Sequence, residues 1–201
     1  MSTVDNQKKK QEEQTENFWV EMFKTLALAG VLAFGIRTFI AEARYIPSGS
    51  MEPTLQINDH LMIEKVTYLF HEPDRGDIVV FRPTEALKQE SYHQAFIKRI
   101  IGLPGETVEV RDGQVLINGQ VLLEDYIKEL PKYNYGPEIV PDDQYLVLGD
   151  NRNNSYDSHA WGFVPRQNLI GRAFVRFWPL NRVGTIEHDV VDFKTNPVTQ
   201  E

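Results

Sequence analysis

After residue 44 the sequence offers short runs of β-branched and aromatic residues and no long amphipathic helical period, which confines the chain to a mostly β fold. The runs fall at 77–81, 107–110, 114–117, 120–123, 144–148 and 173–177. Parallel sheets need long, usually helical crossovers, so mostly antiparallel pairing is expected in place of a doubly wound sheet. Two compact turns, Arg111-Asp112-Gly113 and Asn118-Gly119, divide the middle runs. An Asn-Gly pair between apolar runs is a strong hairpin signal, because both turn positions need positive φ. The polar or proline-bearing stretches 82–94 and 124–143 interrupt the pattern and read as surface insertions. The expected organisation is one β domain over 43–201, with a small inserted β region at about 107–143.

The amino-terminal part has a different composition. Residues 1–17 are polar, with Lys8, Lys9 and Lys10 followed by Glu12, Glu13 and Glu16, and they predict a disordered tail. From Phe18 the chain turns apolar, and 26–36 carries no charge between Lys24 and Arg37. A spanning helix needs roughly 20 apolar residues, a length reached here when Lys24 and Arg37 snorkel to the headgroups. The reading is a transmembrane helix over 18–42; a cleaved secretory signal, an interfacial helix and a core helix are the alternatives. Lys8, Lys9, Lys10 and Lys24 precede the run and Arg37 and Arg44 follow it. The positive-inside tendency therefore puts the amino end in the cytoplasm and the β domain across the membrane.

A net charge of −8 without a basic stripe argues against a nucleic-acid partner, since that affinity depends on clustered Lys and Arg. The chain has no Cys, which removes thiol nucleophiles, disulfides and thiolate metal sites. His60, His71, His93, His159 and His188 are scattered, with no His-x-x-x-His and no carboxylate cluster at ligand spacing, so no metal and no cofactor are expected. None of these histidines sits in a hydrolase triad motif.

Three separated blocks carry chemistry: Pro47-Ser48-Gly49-Ser50-Met51-Glu52-Pro53, Phe96-Ile97-Lys98-Arg99-Ile100-Ile101, and Gly149-Asp150-Asn151-Arg152-Asn153-Asn154-Ser155-Tyr156-Asp157-Ser158. A serine needs a proton acceptor to become a nucleophile, and a desolvated lysine can be one. An ordinary lysine amine is neutral in about one molecule in a few thousand at pH 7, so burial must lower its pKa before it serves as a base. In a strand Phe96, Lys98 and Ile100 share a face, which places the amine among apolar neighbours. Taken alone, Lys98-Arg99 also reads as a solvated pair on an edge strand, Ser48-Gly49-Ser50 as a polar turn, and 149–154 as an Asx-rich loop.

Together with Arg75-Gly76-Asp77-Ile78-Val79-Val80-Phe81, the blocks make the chain from about Ala43 to Pro179 resemble the type I signal peptidases. The resemblance implies a membrane-anchored serine endopeptidase, in plasma or thylakoid membrane, that removes signal peptides from exported preproteins. It implies Ser50 as nucleophile, Lys98 as general base, and Ser48 with the Ser50 N–H as the oxyanion donors. Ser155 corresponds to a serine that hydrogen-bonds the lysine, with Asp150, Arg152 and Asp157 holding the loop. Tyr45, Ile46, Pro47, Phe96 and Ile97 would flank the substrate, with Ile46 and Ile97 restricting two pockets to small residues and so selecting Ala-x-Ala sites. Each isoleucine taken singly is as readily a core residue. Where many members carry Arg-Tyr after Asp-Ser, this chain has His159-Ala160, a form similar to those of cyanobacteria and chloroplasts, so the ion pair from Asp157 is in question. The aromatics at 68–70 and 174–178 suggest either core packing or contact with lipid. The rival classes are a catalytically inactive membrane-anchored β scaffold and a self-cleaving Ser-Lys autoprotease.

Overall fold

The computed structural model describes residues 2–186, 192 and 193, with side chains described from Phe18 onward, and His188 lies outside them. The chain divides into two compact units, residues 1–41 and 42–201. In the first, helix α1 (Ser2–Gly35) closes in one π-helical turn, Ile36–Ile40, where the Ala41 N–H donates to the Ile36 carbonyl. Within it Phe18–Ile40 is 23 residues long with a mean hydropathy of 1.5, long and apolar enough to cross a bilayer. Its apolar side chains are exposed, Phe23, Val31 and Phe34 among them. The helical backbone also runs through 2–17, where low apolar content predicts a disordered tail. Gln, Glu and Lys are strong helix formers, and a lack of apolar residues speaks to packing more than to local conformation.

The second unit is built from two antiparallel sheets. The larger takes β1 (Ala41–Tyr45), β2 (His60–Glu64), β3 (Ile78–Phe81), β4 (Phe96–Gly102), β9 (Gln144–Leu148), β10 (Val164–Pro165), β11 (Leu169–Trp178) and β12 (Gly184–Thr185). Its order is β1-β2-β11-β3-β4-β9-β10, with β12 against β11. The smaller takes β5 (Thr107–Arg111), β6 (Gln114–Ile117), β7 (Gln120–Val121) and β8 (Tyr135–Ile139), in the order β7-β6-β5-β8. Its two tight turns form as their residues require, with φ of 52° and 75° at Asp112-Gly113 and 51° and 81° at Asn118-Gly119.

Both stretches read as insertions carry structure. The first holds α2 (Glu85–Gln89), whose Leu87 N–H is accepted by the Thr84 side-chain cap and whose Leu87 side chain is buried. The second holds β8, which pairs with β5 from Thr107↔Ile139 onward. Strand β8 escapes a pattern search because it contains Gly136-Pro137 and exposes four of its five residues. Central β4 lies between β3 and β9, so Lys98-Arg99 is no solvated edge pair: Lys98 is 4% exposed and Arg99 0%. Apolar side chains pack on both sides of β4. Ile46, Met51, Leu55, Leu61, Ile63 and Ile78 form one cluster, and Val79, Phe81, Leu87, Ile100, Val147 and Trp161 another.

Candidate active site

The three blocks converge on one cleft of about 610 Å³, lined by residues 47–50, 92, 94–98 and 153–156. Ser50 sits in a single 3-10 turn, Gly49–Met51, and the neighbouring Met51 is fully buried and pins that turn to the core. Lys98 enters from β4, and its Nζ donates to Ser50 Oγ at 2.9 Å and to the Ile97 carbonyl at 3.0 Å. Burial pushes the amine down from its ordinary 10.5 to about 8, against the opposing pull of the Asp157 and Asp150 carboxylates. The Ser48 hydroxyl lies 3.5 Å from Ser50 Oγ.

The loop after β9 is held to the Ser50 turn through its backbone. The Asn151 N–H donates to the Ser50 carbonyl at 3.1 Å, and Asn151 Nδ2 donates to the Gly49 carbonyl at 2.9 Å. A Cβ at Gly149 would stand 2.4 Å from the Ser50 carbonyl oxygen and 2.2 Å from Ser155 Oγ, so only glycine permits this approach. Asp150 is fully buried and takes two hydrogen bonds from Arg99, at 2.9 and 2.8 Å, and one from Thr54 Oγ1 at 2.6 Å. Arg152, also buried, forks onto Glu124 at 2.8 and 2.5 Å and donates to the Gly149 carbonyl at 3.1 Å. Asp157 accepts from the Gly149 N–H at 2.9 Å, and its other oxygen meets His159 Nδ1 at 2.6 Å.

Several expected placements differ. Ser155 lines the cleft, yet its Oγ is buried without a hydrogen-bond partner and makes no bond to the lysine amine. Of the substrate-flanking residues, Pro47, Phe96 and Ile97 line the cleft. Ile46 is 2% exposed and packs with Met51 and Leu55 in the core, as its apolar side chain and the bonds of its backbone to Asn58 and Asp59 require. Tyr45 is 61% exposed and tilts against His60, at 6.4 Å between ring centroids. Sequence reading missed Arg99, Thr54, Asn151 and Glu124 as supports. A signal for Arg99 was available, since an arginine beside a buried lysine must itself find a carboxylate. His159 fills the place in question beside Asp157.

A model of the family described as signal peptidase, peptidase S26, matches residues 19–178, which includes every element of the cleft. The chain belongs to the signal peptidase family. It is 66% identical over 181 residues to the probable signal peptidase I-2 of Synechocystis sp., covering 90% of this chain and 83% of that protein. Signal peptidase I of Leptolyngbya laminosa is 67% identical over 169 residues, 83% of each. The probable thylakoidal processing peptidase 2 of Arabidopsis thaliana is 42% identical over 174 residues, 86% of this chain and 47% of that one. The chain is accordingly a type I signal peptidase of the cyanobacterial and thylakoidal kind, a hydrolase that cleaves signal peptides.

Proposed function

We propose that this signal peptidase is a membrane-anchored Ser-Lys endopeptidase that cuts exported preproteins after Ala-x-Ala sites. The observation that carries the reading is the 2.9 Å approach of a desolvated Lys98 amine to Ser50 Oγ in a cleft open to an extended peptide. A neutral amine that donates to the Ile97 carbonyl keeps its lone pair for the Ser50 proton. Ser50 Oγ attacks the scissile carbonyl carbon as Lys98 takes its proton. The oxyanion that forms faces the Ser48 hydroxyl and the Ser50 N–H, donors held in place before charge develops. Collapse expels the new amino terminus, which leaves with the proton from Lys98, and the signal peptide stays esterified to Ser50. A water deprotonated by Lys98 then releases it. Ser155 keeps its orphaned hydroxyl in the cleft without a bond to the lysine amine, and Asp150, Arg152 and Asp157 hold the loop that carries it.

An extended substrate pairs with the walls formed by Pro47 and by Phe96-Ile97, where the branched Ile97 side chain leaves room only for small residues. The apolar span Phe18–Ile40 anchors the enzyme with its amino end in the cytoplasm, in the plasma or thylakoid membrane. The test is incubation of the detergent-solubilised full chain with several preproteins bearing Ala-x-Ala sites, the cut read by mass spectrometry. Cleavage after the second Ala is the expected result. A folded enzyme that cuts none of them would put the scaffold reading ahead.

Phe174, Phe177, Trp178, Leu180 and Val183 are exposed around the end of β11, an apolar surface suited to the headgroup region. Tyr68 does not belong with it, since its hydroxyl donates to Asp77 at 2.7 Å. Of the three tryptophans, Trp161 is 9% exposed and Trp178 49%. In vesicles of brominated lipid the full chain should lose a share of its quenchable fluorescence on Trp178→Phe. Equal quenching in the two proteins would remove lipid contact from the reading.

A further inference from the structure

The Asp157 and Asp150 carboxylates both favour the charged form of the Lys98 amine. They are compensated differently. Asp150 is locked to Arg99 inside the protein, both side chains at 0% exposure, and that cation is permanent. Asp157, equally buried, has as its side-chain partner His159, whose ring is 25% exposed and whose charge depends on protonation. The imidazole has little freedom. It stacks on Tyr133 at 4.2 Å between centroids and 19° between planes, with Nδ1 held 2.6 Å from Asp157 Oδ1. The groups facing it are therefore Asp157 on its own loop and Tyr133 on the connection to β8. Behind Tyr133 stand Arg152 and Glu124, already paired with each other. The other oxygen of Asp157 accepts from the Gly149 N–H, at the point where the backbone comes too close to Ser50 and Ser155 to admit a Cβ. Anything that moves Asp157 moves that contact.

We propose that His159 is a positioning residue of the Ser50–Lys98 site: clamped by Tyr133, it fixes Asp157 against the Gly149 N–H and offsets that carboxylate's charge beside the lysine. It touches neither substrate nor reacting atoms, and it acts through Asp157 alone. The inference rests on the reading of Lys98 as the base, and it adds that the residue at 159 sets how readily that base gives up its proton. A permanent cation at 159 cancels more of the Asp157 charge and favours the neutral amine, whereas an uncharged residue leaves the carboxylate free to hold Lys98 protonated.

The test compares full-length wild type with His159→Arg, His159→Gln and His159→Ala in detergent. Two readouts are followed: the pH profile of kcat/KM, and the pH titration of the Lys98 side-chain carbon resonance in lysine-labelled enzyme. His159→Arg should move both midpoints down by roughly half a pH unit, which is about a threefold gain in kcat/KM at pH 7. His159→Ala should move both up and lower kcat by about tenfold with KM little changed, and His159→Gln, which can still donate to Asp157, should recover kcat without moving the midpoints back. Unmoved midpoints in all three variants, with kcat intact in a folded His159→Ala enzyme, would overturn the proposal. Should His159→Ala fail to fold, the comparison of His159→Arg with wild type decides alone. If the Lys98 resonance shifts as described in the His159 variants while a separate Lys98→Met enzyme still cuts, the positioning role stands and the base assignment falls.

Discussion

Lys98→Met is expected to lower preprotein cleavage at least about 10³-fold, as is Ser50→Ala, and to make the protein more stable at the same time. The two effects share one cause. A lysine that is 4% exposed carries its charge at a cost, and the drop in pKa from 10.5 to about 8 corresponds to about 3 kcal/mol against the charged form. Below pH 8 the folded and unfolded chains both hold the proton, and the folded state bears that cost in full. Between about 8 and 10.5 the unfolded chain binds the proton and the folded chain does not, so the unfolding free energy of the wild type should rise with pH across this window. Methionine fills a similar volume without charge, so the variant should gain up to about 3 kcal/mol at pH 7 and lose that rise. Activity carries the same signature, with wild-type kcat/KM climbing about tenfold per pH unit and levelling near 8. Denaturant melts and cleavage rates across pH 6–10 check both halves. An active Lys98→Met enzyme would end the dyad reading, and an inactive one without the stability gain would mean that Lys98 is not a desolvated cation.

The parts of this enzyme that were legible in its sequence are those dictated by local rules. The two-residue turns at Asp112-Gly113 and Asn118-Gly119 needed positive φ and obtained it. The run 114–117 became β6, and 144–148 became β9. The strands that escaped notice owe their form to partners: β2 carries His60 and Glu64 at its ends and is held by the long β11, and β8 is held by β5 despite its proline. The three blocks named the elements of the cleft because each brings a chemically distinctive residue. Their supports were less visible, since a hydrogen bond such as Asn151 to the Gly49 carbonyl spans 102 positions and leaves no trace in spacing. Ile46 shows the same limit from the other side, because whether an apolar residue beside a site lines the cleft or fills the core depends on what packs over it.

The second large effect concerns stability. Arg99 and Asp150 are both at 0% exposure and form a forked ion pair, and Arg99 also lies 3.9 Å over the Tyr126 ring and donates to the Gly76 carbonyl at 3.1 Å. Removing one partner leaves a buried charge without its counter-ion. Arg99→Met or Asp150→Leu should therefore cost about 3–5 kcal/mol, seen as a melting temperature lower by roughly 10 °C. The pair itself contributes much less than that, because bringing both ions out of water consumed most of their attraction. The double variant Arg99→Met/Asp150→Leu should consequently regain a large part of the loss, short of full recovery because the Gly76 carbonyl and the Thr54 hydroxyl lose their partner. Activity should not return with stability. The Asp150 carboxylate sits beside the Asn151 amide that holds the Ser50 carbonyl, and an apolar side chain there keeps the volume without fixing the loop. A double variant that melts near the wild type yet cuts slowly would separate the role of the ion pair in orienting the nucleophile from its role in the fold. Additive losses in the two single variants would show instead that neither charge depends on the other.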